Sequence, residues 1–366
     1  MMFSARAKKA AYFAVAALLL VVALVARRFS GEIDATARAQ FLRFVPAATT
    51  SVIFVDLDSL RSSPFLDALY SWVPHPAEDA EYAQFVHETG FDYERDLGKV
   101  FMAISNHGAS SNTLVLAEGK FDREKIEAFL ARNGLATQQG SLKVFLLRAT
   151  RNDKPLSVAF LANQRIAVTD YENLFSTLRA AVDQVGHAEW QKRFDRLAGT
   201  PAFAVIRQDP AFELALNGAA PGGFRSPQLA ALLDQLSWIS LAAKPDGELL
   251  RLVAEGECPS NLAASELHDF LEGIQVLAQN GLNDRKLRRQ MSEDERQAYL
   301  ELLKGADIEK IARGESKSVR LVLSVTPQFL SLAKPSALTA HPGSADPAPP
   351  TEQGTRTKKS TSARKR

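Results

Sequence analysis

The chain repeats one order of structural elements, and this internal repeat constrains its fold more than any other feature. The segment 116–119 reads LAEG and the segment 253–256 reads VAEG, and each closes a predicted hairpin strand just before a predicted helix. The helices that follow contain IEAFL at 126–130 and LHDFL at 267–271. Because similar sequences adopt similar local structure, we expect the two halves of the chain to be copies of one unit.

The order of elements in each half indicates an α+β fold. β-Branched and aromatic runs predict a first strand and then a hairpin in both halves. These runs are 50–55, 100–105 and 113–117 in the first half and 202–207, 238–243 and 249–255 in the second. Helical segments separate the first strand from the hairpin and follow the hairpin, which gives the β-α-β-β-α-β order of ferredoxin-like units. We therefore expect a tandem pseudo-repeat of ferredoxin-like units, over residues 29–185 and 186–334, that cover each other.

A single apolar run near the amino terminus indicates a membrane segment. Ala10–Ala26 contains no charged residue, and Lys9 and Arg27 flank it. At about 1.5 Å per residue a helix over this run is about 25 Å long, close to the thickness of the hydrocarbon core. Residues 1–28 are therefore predicted to be a membrane anchor that contacts the lipid bilayer through Ala10–Ala26 as a single transmembrane helix. A cleaved signal segment is the alternative, although Arg27 and Arg28 stand where a small-residue cleavage site is expected.

The distribution of charge bears on location and partners. The net charge of +2 conceals five basic residues and no acidic residue in 1–28, and a net charge of −7 in 29–334. An acidic body repels phosphate backbones, so we expect no nucleic-acid partner for it. A basic amino-terminal segment is retained in the cytoplasm, whereas long downstream domains cross membranes largely regardless of charge. We expect a single-pass protein of the inner (plasma) membrane with its body on the outer, periplasmic side.

The carboxyl-terminal residues 335–366 are predicted to be a disordered basic tail. This segment contains five prolines and no apolar periodicity, so neither a helix nor a strand ladder is expected there. Six basic residues against two acidic ones make it cationic. We expect a solvated end that binds nothing specific, and binding of the tail to an envelope protein or an anionic surface is the alternative.

Two aspartates after the first strand are the sharpest candidate for catalysis. Val55–Leu60 reads VDLDSL, which resembles the opening motif of haloacid-dehalogenase-like phosphatases. The resemblance implies that Asp56 attacks phosphorus, that Asp58 transfers a proton and that magnesium lies between them. No second acidic motif follows a later strand, and the second half keeps only Asp209, so the competing interpretation makes Asp58 and Asp209 helix N-caps. The phosphatase stays an alternative hypothesis, and we predict no catalytic residue, no cofactor and no metal site.

The loop 90–98 is a second candidate, this time for cation binding. Asp92, Glu94 and Asp96 alternate along it, and alternate acids in a loop are able to converge on a cation. The full spacing of a calcium loop is missing, so a turn in which Arg95 pairs with a neighbouring acid fits the sequence better.

The remaining polar candidates each have a structural interpretation. Glu118 and Glu255 occupy matched positions, and they either meet across a pseudo-twofold axis or point into solvent. Cys258, the one cysteine, excludes an internal disulfide, and its match to Phe121 predicts a buried, inert thiol. The six histidines form no metal-binding motif, and the basic run 285–289 is predicted to be a solvated turn.

A proline-led first strand, a helix and the turn GFDYERDL at 90–97 occur together within Phe44–Ile104. With these features the region resembles uncharacterised membrane-anchored or exported bacterial envelope proteins of unknown function. The resemblance implies an envelope location and assigns no catalytic residue. We therefore expect a membrane-anchored envelope protein with a non-catalytic binding or scaffolding role. The alternatives are the phosphatase and a ligand-binding module between the two repeats.

Overall fold

The fold is described for ten segments of the chain in a computed structural model. They are residues 40–64, 80–107, 110–147, 155–179, 184–208, 235–285, 287–289, 291–313, 316–327 and 329. The predicted anchor, the predicted tail and Asp209 lie outside these residues, so what the sequence predicts for them stays a prediction. Within the described segments, none of the helices has both the length and the apolar character needed to span a membrane.

The described segments contain twelve strands, several of them consecutive in the chain, with helices between the groups of strands. The strands are β1 (Thr49–Asp56), β2 (Leu97–His107), β3 (Ser110–Gly119), β4 (Leu135–Gln139), β5 (Leu142–Leu147), β6 (Leu156–Ala162), β7 (Arg165–Thr169), β8 (Ala202–Arg207), β9 (Trp238–Asp246), β10 (Leu249–Cys258), β11 (Asp307–Arg313) and β12 (Ser316–Val325). The principal helices are α1 (Leu57–Leu60), α2 (Ala80–Thr89), α3 (Tyr93–Asp96), α4 (Arg123–Asn133), α5 (Leu174–Arg179), α6 (Gln184–Arg196), α7 (Asn261–Leu282) and α8 (Glu293–Lys304).

All twelve strands join one antiparallel sheet. The strand order is β11-β12-β10-β9-β8-β1-β2-β3-β7-β6-β5-β4. The first strands of the two halves, β1 and β8, pair at the centre of this order, and Val52 lies opposite Val205. From that pair β1, β2 and β3 continue in one direction while β8, β9 and β10 continue in the other. The predicted α+β class is confirmed, in the form of a mixed fold dominated by a large antiparallel sheet.

The predicted ferredoxin-like strand order is wrong. A split β-α-β arrangement inserts another strand between the two strands that its first helix connects. Here β1 pairs directly with β2, with Val52 opposite Ala103, and β8 occupies the other side of β1. Helices α1, α2 and α3 lie between β1 and β2 in the chain, and β2 then runs antiparallel beside β1. The sequence predicts the types of element, but an order of types does not determine which strands pair.

Two strands lack a sequence signal, and both lie at the edges of the sheet. β4 reads LATQQ and β11 reads DIEKIAR, so each carries polar or charged residues along much of its length. Edge strands hydrogen-bond on one side only, and charged residues there discourage pairing with another chain. These strands therefore lack the apolar alternation by which a half-buried strand is recognised.

The face of the sheet that carries Phe54 packs the largest core. Phe41 stacks on Phe101 with ring centroids 5.3 Å apart, and Phe54 contacts Phe203 across the central strand pair at 5.2 Å. Trp190 on α6 joins the same cluster and is 2% exposed. Aromatic side chains of this size bury more apolar surface than any others, so this cluster is the main source of hydrophobic stabilisation.

Two separate clusters cover the flanks of the opposite face. Helix α4 packs Ile126 against β5, β6 and β7, and helix α7 packs Leu267 against the β10 and β12 side. Between the two clusters the central strands carry Ile53, which is half-buried, and Leu241, which is 41% exposed. The sheet therefore has one thoroughly packed face and one face that the described helices cover at both flanks.

Candidate functional site

Charged side chains line one end of the strands β1, β2, β3 and β7. Asp56 lies opposite Lys99, Lys99 opposite Glu118, and Glu118 opposite Arg165. Because directly opposed residues share one face of an antiparallel sheet, these four residues form a row of alternating charge. A cavity of about 500 Å³, which we call the strand-end cavity, borders this row. Its charged lining residues are Asp58, Arg95, Asp96, Lys99, Glu118, Lys120 and Arg165.

The two aspartates of the phosphatase-like motif have separate structural partners. Asp56 is 2% exposed, and its Oδ1 accepts a hydrogen bond from the Ser59 amide at 3.0 Å, so Asp56 caps α1. The prediction that Asp58 is the N-cap is wrong, because β1 continues through Asp56 and the helix begins at Leu57. Asp58 lies in the first turn, where its Oδ1 accepts a hydrogen bond from Arg61 Nη1 at 2.8 Å.

The backbone of β2 covers part of the carboxyl group of Asp58, whose side chain is 48% exposed. A Cβ atom at Gly98 would lie 2.6 Å from Asp58 Oδ2, so a larger residue there would have to displace this carboxyl group. This burial raises the pKa of Asp58, and the neighbouring Asp56 acts in the same direction, although Arg61 and Lys99 oppose it. Asp58 therefore holds its negative charge less readily than an ordinary aspartate.

The loop 90–98 forms a turn that Arg95 stabilises. Arg95 donates to Asp96 from Nε at 2.9 Å and from Nη2 at 2.6 Å, and these hydrogen bonds lower the pKa of Asp96. Asp92 caps α3 by accepting a hydrogen bond from the Glu94 amide at 2.9 Å. The prediction of a turn in which Arg95 pairs with a neighbouring acid is confirmed.

The matched glutamates each pair with an arginine that lies directly opposite on the next strand. Arg165 donates from Nε to Glu118 at 2.8 Å, which joins β3 to β7. Arg320 donates from Nη2 to Glu255 at 2.9 Å, which joins β10 to β12. The predicted contact across a twofold axis is wrong, because four strands separate β3 from β10, and the predicted exposure to solvent is wrong for Glu255, which is 7% exposed. Each carboxylate is instead neutralised by an arginine of its own half.

Helix α6 covers the pair in the second half and adds further charges to it. Arg193 donates to Glu257 at 2.5 Å, and Arg196 donates to Glu255 at 3.2 Å. Arg193 is 3% exposed, and its guanidinium lies 3.8 Å from the ring centre of Trp238. We call this group the buried network; its members are Arg193, Arg196, Glu255, Glu257 and Arg320. Buried charges persist only when they are paired, so the network fastens α6 to the sheet.

The strand-end cavity contains more basic than acidic side chains. Each of its three acids already binds an arginine: Asp58 binds Arg61, Asp96 binds Arg95 and Glu118 binds Arg165. Lys99 is half-buried beside them and forms no ion pair within 4.0 Å with another residue of the described segments. A metal ion would find these carboxylates occupied, whereas an anion would meet a surplus of positive charge.

One cluster of metal-type ligands is found among the described residues, and it lies away from the cavity. It consists of His268, Asp269 and Glu272 on α7, and His268 Nδ1 lies 3.2 Å from Asp269 Oδ1. Both acids are exposed, and the only sequence signal is a histidine followed by acids one and four positions later. The acids of the loop 90–98 do not form such a cluster.

Two further residue predictions are confirmed. Cys258 is buried, and its burial raises the pKa of the thiol, which makes it a poor nucleophile. In the basic run 285–289, a short 3₁₀ turn covers Leu287–Arg289, and Arg288 and Arg289 are exposed to solvent.

Comparisons with known proteins add a distant structural likeness. No protein-family model and no curated protein matches the chain. Crystal forms III, I and IV of TP0453 match with TM-scores of 0.41, 0.39 and 0.38 at 13%, 11% and 10% sequence identity. Each match covers 79% of this chain and 95%, 94% and 94%, respectively, of the TP0453 chain. Likenesses at this level carry no argument about function.

Proposed function

We propose that the protein is a membrane-anchored envelope protein with a non-catalytic binding role, and that the strand-end cavity binds a small anionic group. The observation that supports this most is the state of the cavity's carboxylates, since each already binds an arginine. Of the two aspartates in the phosphatase hypothesis, Asp56 caps α1 and Asp58 binds Arg61. The surplus of basic side chains suits a phosphate or a carboxylate instead.

Lys99 is the residue on which anion binding depends most. It lies between Asp56 and Glu118 in the row of alternating charge, yet both acids have other hydrogen-bond donors, Ser59 and Arg165. A half-buried ammonium group without an ion pair is stabilised when an anion enters beside it. Charge-assisted hydrogen bonds of this kind are about twice as strong as neutral ones.

Calorimetric titration of the full chain in phosphatidylcholine nanodiscs tests this site. Inorganic phosphate and citrate are the two probes, and they separate a preference for phosphate from a preference for carboxylate. We expect saturable binding of at least one probe at one site per chain, and about tenfold weaker binding to Lys99→Gln. Lys310→Gln, at an exposed position on the edge strand β11, should bind as the wild type does. Absence of saturable heat with both probes, or equal affinity in Lys99→Gln, overturns the proposal.

Membrane attachment rests on the apolar run Ala10–Ala26. The full chain should sediment with membranes and resist extraction with alkaline carbonate, and a variant without residues 1–28 should not. Because Cys258 is buried, orientation is better tested with Lys310→Cys in a Cys258→Ser background. We expect a membrane-impermeant thiol reagent to label that cysteine once the outer membrane is opened. Labelling only after the inner membrane is disrupted would reverse the orientation.

We also infer that the two halves are copies of one unit. Their first strands pair at the centre of the sheet, and their next two strands extend outward in the same order. The pairs Glu118–Arg165 and Glu255–Arg320 then join the third strand of each half to its last strand. Agreement in order, register and residue type supports duplication over chance similarity.

The phosphatase hypothesis has a clean test in Asp56→Asn. Asparagine caps a helix about as well as aspartate does, so this variant should keep α1 and remain folded. We expect no magnesium-dependent hydrolysis of p-nitrophenyl phosphate by the wild type or by the variant. Turnover by the wild type that disappears in Asp56→Asn would overturn the non-catalytic proposal.

A further inference from the structure

An apolar cleft lies on the other side of Arg165 from the strand-end cavity. Its volume is about 300 Å³, at the lower end of the range for small-molecule sites. The apolar lining comes from the segment before β1, from β5, from the end of β6 and from α5. These side chains are Phe44, Leu142, Leu161, Phe175 and Leu178.

The wall formed by α5 depends on a glycine in the β4–β5 turn. Gly140 has a φ of +58°, and a Cβ atom there would lie 2.5 Å from the ring of Phe175. Any other residue would be strained in this backbone conformation and would also displace the ring. The turn and the helix are therefore fitted to each other on this side of the cleft.

Three arginines surround the cleft, and its lining contains no acidic residue. Arg43 lies over the ring of Phe44 at 5.4 Å, and Arg179 lies over the ring of Phe175 at 5.6 Å. Arg165 is neutralised by Glu118, which belongs to the strand-end cavity. Arg179 forms no hydrogen bond or ion pair with another residue of the described segments. Arg43 Nε also donates to the Gln40 carbonyl at 3.1 Å, and neither Arg43 nor Arg179 pairs with a carboxylate of the described segments, so both groups keep their positive charge.

We propose that this cleft binds one acyl chain of an anionic amphiphile, whose head group lies on Arg43 and Arg179. Apolar walls favour the chain, and the guanidinium groups favour a carboxylate or phosphate head group, which they can bind with two parallel hydrogen bonds. The acyl chain of such a ligand does not suit the strand-end cavity, because that cavity is lined mainly by charged and polar side chains. This site does not depend on anion binding beside Lys99.

Photolabelling of the full chain in phosphatidylcholine nanodiscs tests the proposal. The probe is dodecanoate with a diazirine in its chain, and the methyl ester of the same probe removes the charge. Mass spectrometry of the digested protein locates the label. We expect dodecanoate to label the segments 141–142 and 174–179, unlabelled dodecanoate to compete, and the ester to label these segments about tenfold less.

Three variants distinguish a built site from general adhesion to apolar surface. The double variant Arg43→Gln, Arg179→Gln should lower the labelling of these segments about tenfold, and Ser141→Trp should lower it by filling the cleft. Arg289→Gln, an exposed arginine elsewhere, should label as the wild type does. Circular dichroism verifies that each variant is folded. Labelling that ignores the charge of the probe, or that is unchanged in both Ser141→Trp and the double variant, overturns the proposal.

Discussion

The two glutamate–arginine pairs occupy matched places in the sheet but differ in what covers them. Glu118–Arg165 borders the strand-end cavity, and its side chains are 23% and 17% exposed. Glu255–Arg320 lies beneath α6, where Arg196 also binds Glu255 and Arg193 binds the nearby Glu257. The same cross-strand contact therefore borders a cavity of about 500 Å³ in one half, whereas in the other half it borders a smaller one of about 210 Å³ and Arg196 of α6 binds its glutamate.

The two halves also differ in the residue that lies opposite the glutamate on the preceding strand. Lys99 lies opposite Glu118, whereas Ser240 lies opposite Glu255. In the first half Arg165 alone pairs with the glutamate, and Lys99 lies beside them without an ion pair among the described residues. In the second half the additional cations come from α6, which must lie on the sheet to deliver them. A glutamate–arginine pair therefore does not by itself indicate a structural role or a binding role. The residues that pack over the pair decide which role it has.

The largest expected effect is loss of the buried network. Glu257→Gln removes the buried carboxylate that Arg193 and Arg196 share, and it leaves Arg193 with Glu189 and Arg196 with Glu255 as remaining acidic partners. We expect the free energy of unfolding to fall by about 3 kcal/mol, measured by urea denaturation. Glu248→Gln, in the exposed β9–β10 turn, should fall within about 0.5 kcal/mol of the wild type. Equal stability of Glu257→Gln and this control would contradict a structural role for the network.

An intermediate effect on stability is expected for Asp96, which lines the strand-end cavity yet is only 8% exposed. Asp96→Asn weakens the hydrogen bonds from Arg95 and the Asp92 amide, and we expect a loss of about 1.5 kcal/mol at neutral pH.

The dependence of this loss on pH follows from the pKa of Asp96. Hydrogen bonds from Arg95 lower that pKa below the ordinary value of 3.8, so the carboxylate stabilises the folded state above pH 3.8. The stabilisation disappears as the pH falls through the lowered pKa. Urea denaturation at neutral pH and well below pH 3.8 should therefore show a difference between wild type and variant that shrinks in acid. A constant difference would contradict this assignment.

The smallest effect on the free energy of unfolding is expected for the pair Glu118–Arg165. Glu118→Gln removes an ion pair that is partly exposed to solvent, and such pairs contribute about 0.5 kcal/mol. Urea denaturation of Glu118→Gln beside Glu257→Gln measures the contrast between the two regions directly. A loss for Glu118→Gln as large as that for Glu257→Gln would remove the distinction between an accessible pair and a closed network.

The sequence predicts the central strands well because their apolar and β-branched residues serve the core. The runs 50–55 and 202–207 coincide with β1 and β8. Two helix starts also have the residue types that are typical of N-caps: Asp122 caps α4, and Ser292 and Glu295 form a capping box at α8. The pairing of β1 with β8 is not available from periodicity, since residues far apart in the chain determine it. The edge strands are missed because their polar sequences resemble loops.

The site is predicted only in fragments. Asp58, the acids of the loop 90–98 and Glu118 are each recognisable as polar residues near strand ends, and the structure brings Asp58, Asp96 and Glu118 to one cavity. Lys99, Lys120 and Arg165 carry no motif, because an isolated basic residue beside a strand is common in any sequence. Only the register of β2, β3 and β7 places them together.

The claim that one region binds an anion while the other holds the fold together is tested most directly by thermal unfolding with and without the anion, phosphate or citrate, that binds in the calorimetric titration. Ligands that bind the folded state raise the melting temperature by mass action. This anion should raise the melting temperature of the wild type and, from a lower starting value, that of Glu257→Gln by the same amount. It should have little effect on Lys99→Gln. An undiminished shift in Lys99→Gln, or a shift that disappears in Glu257→Gln, would contradict the account.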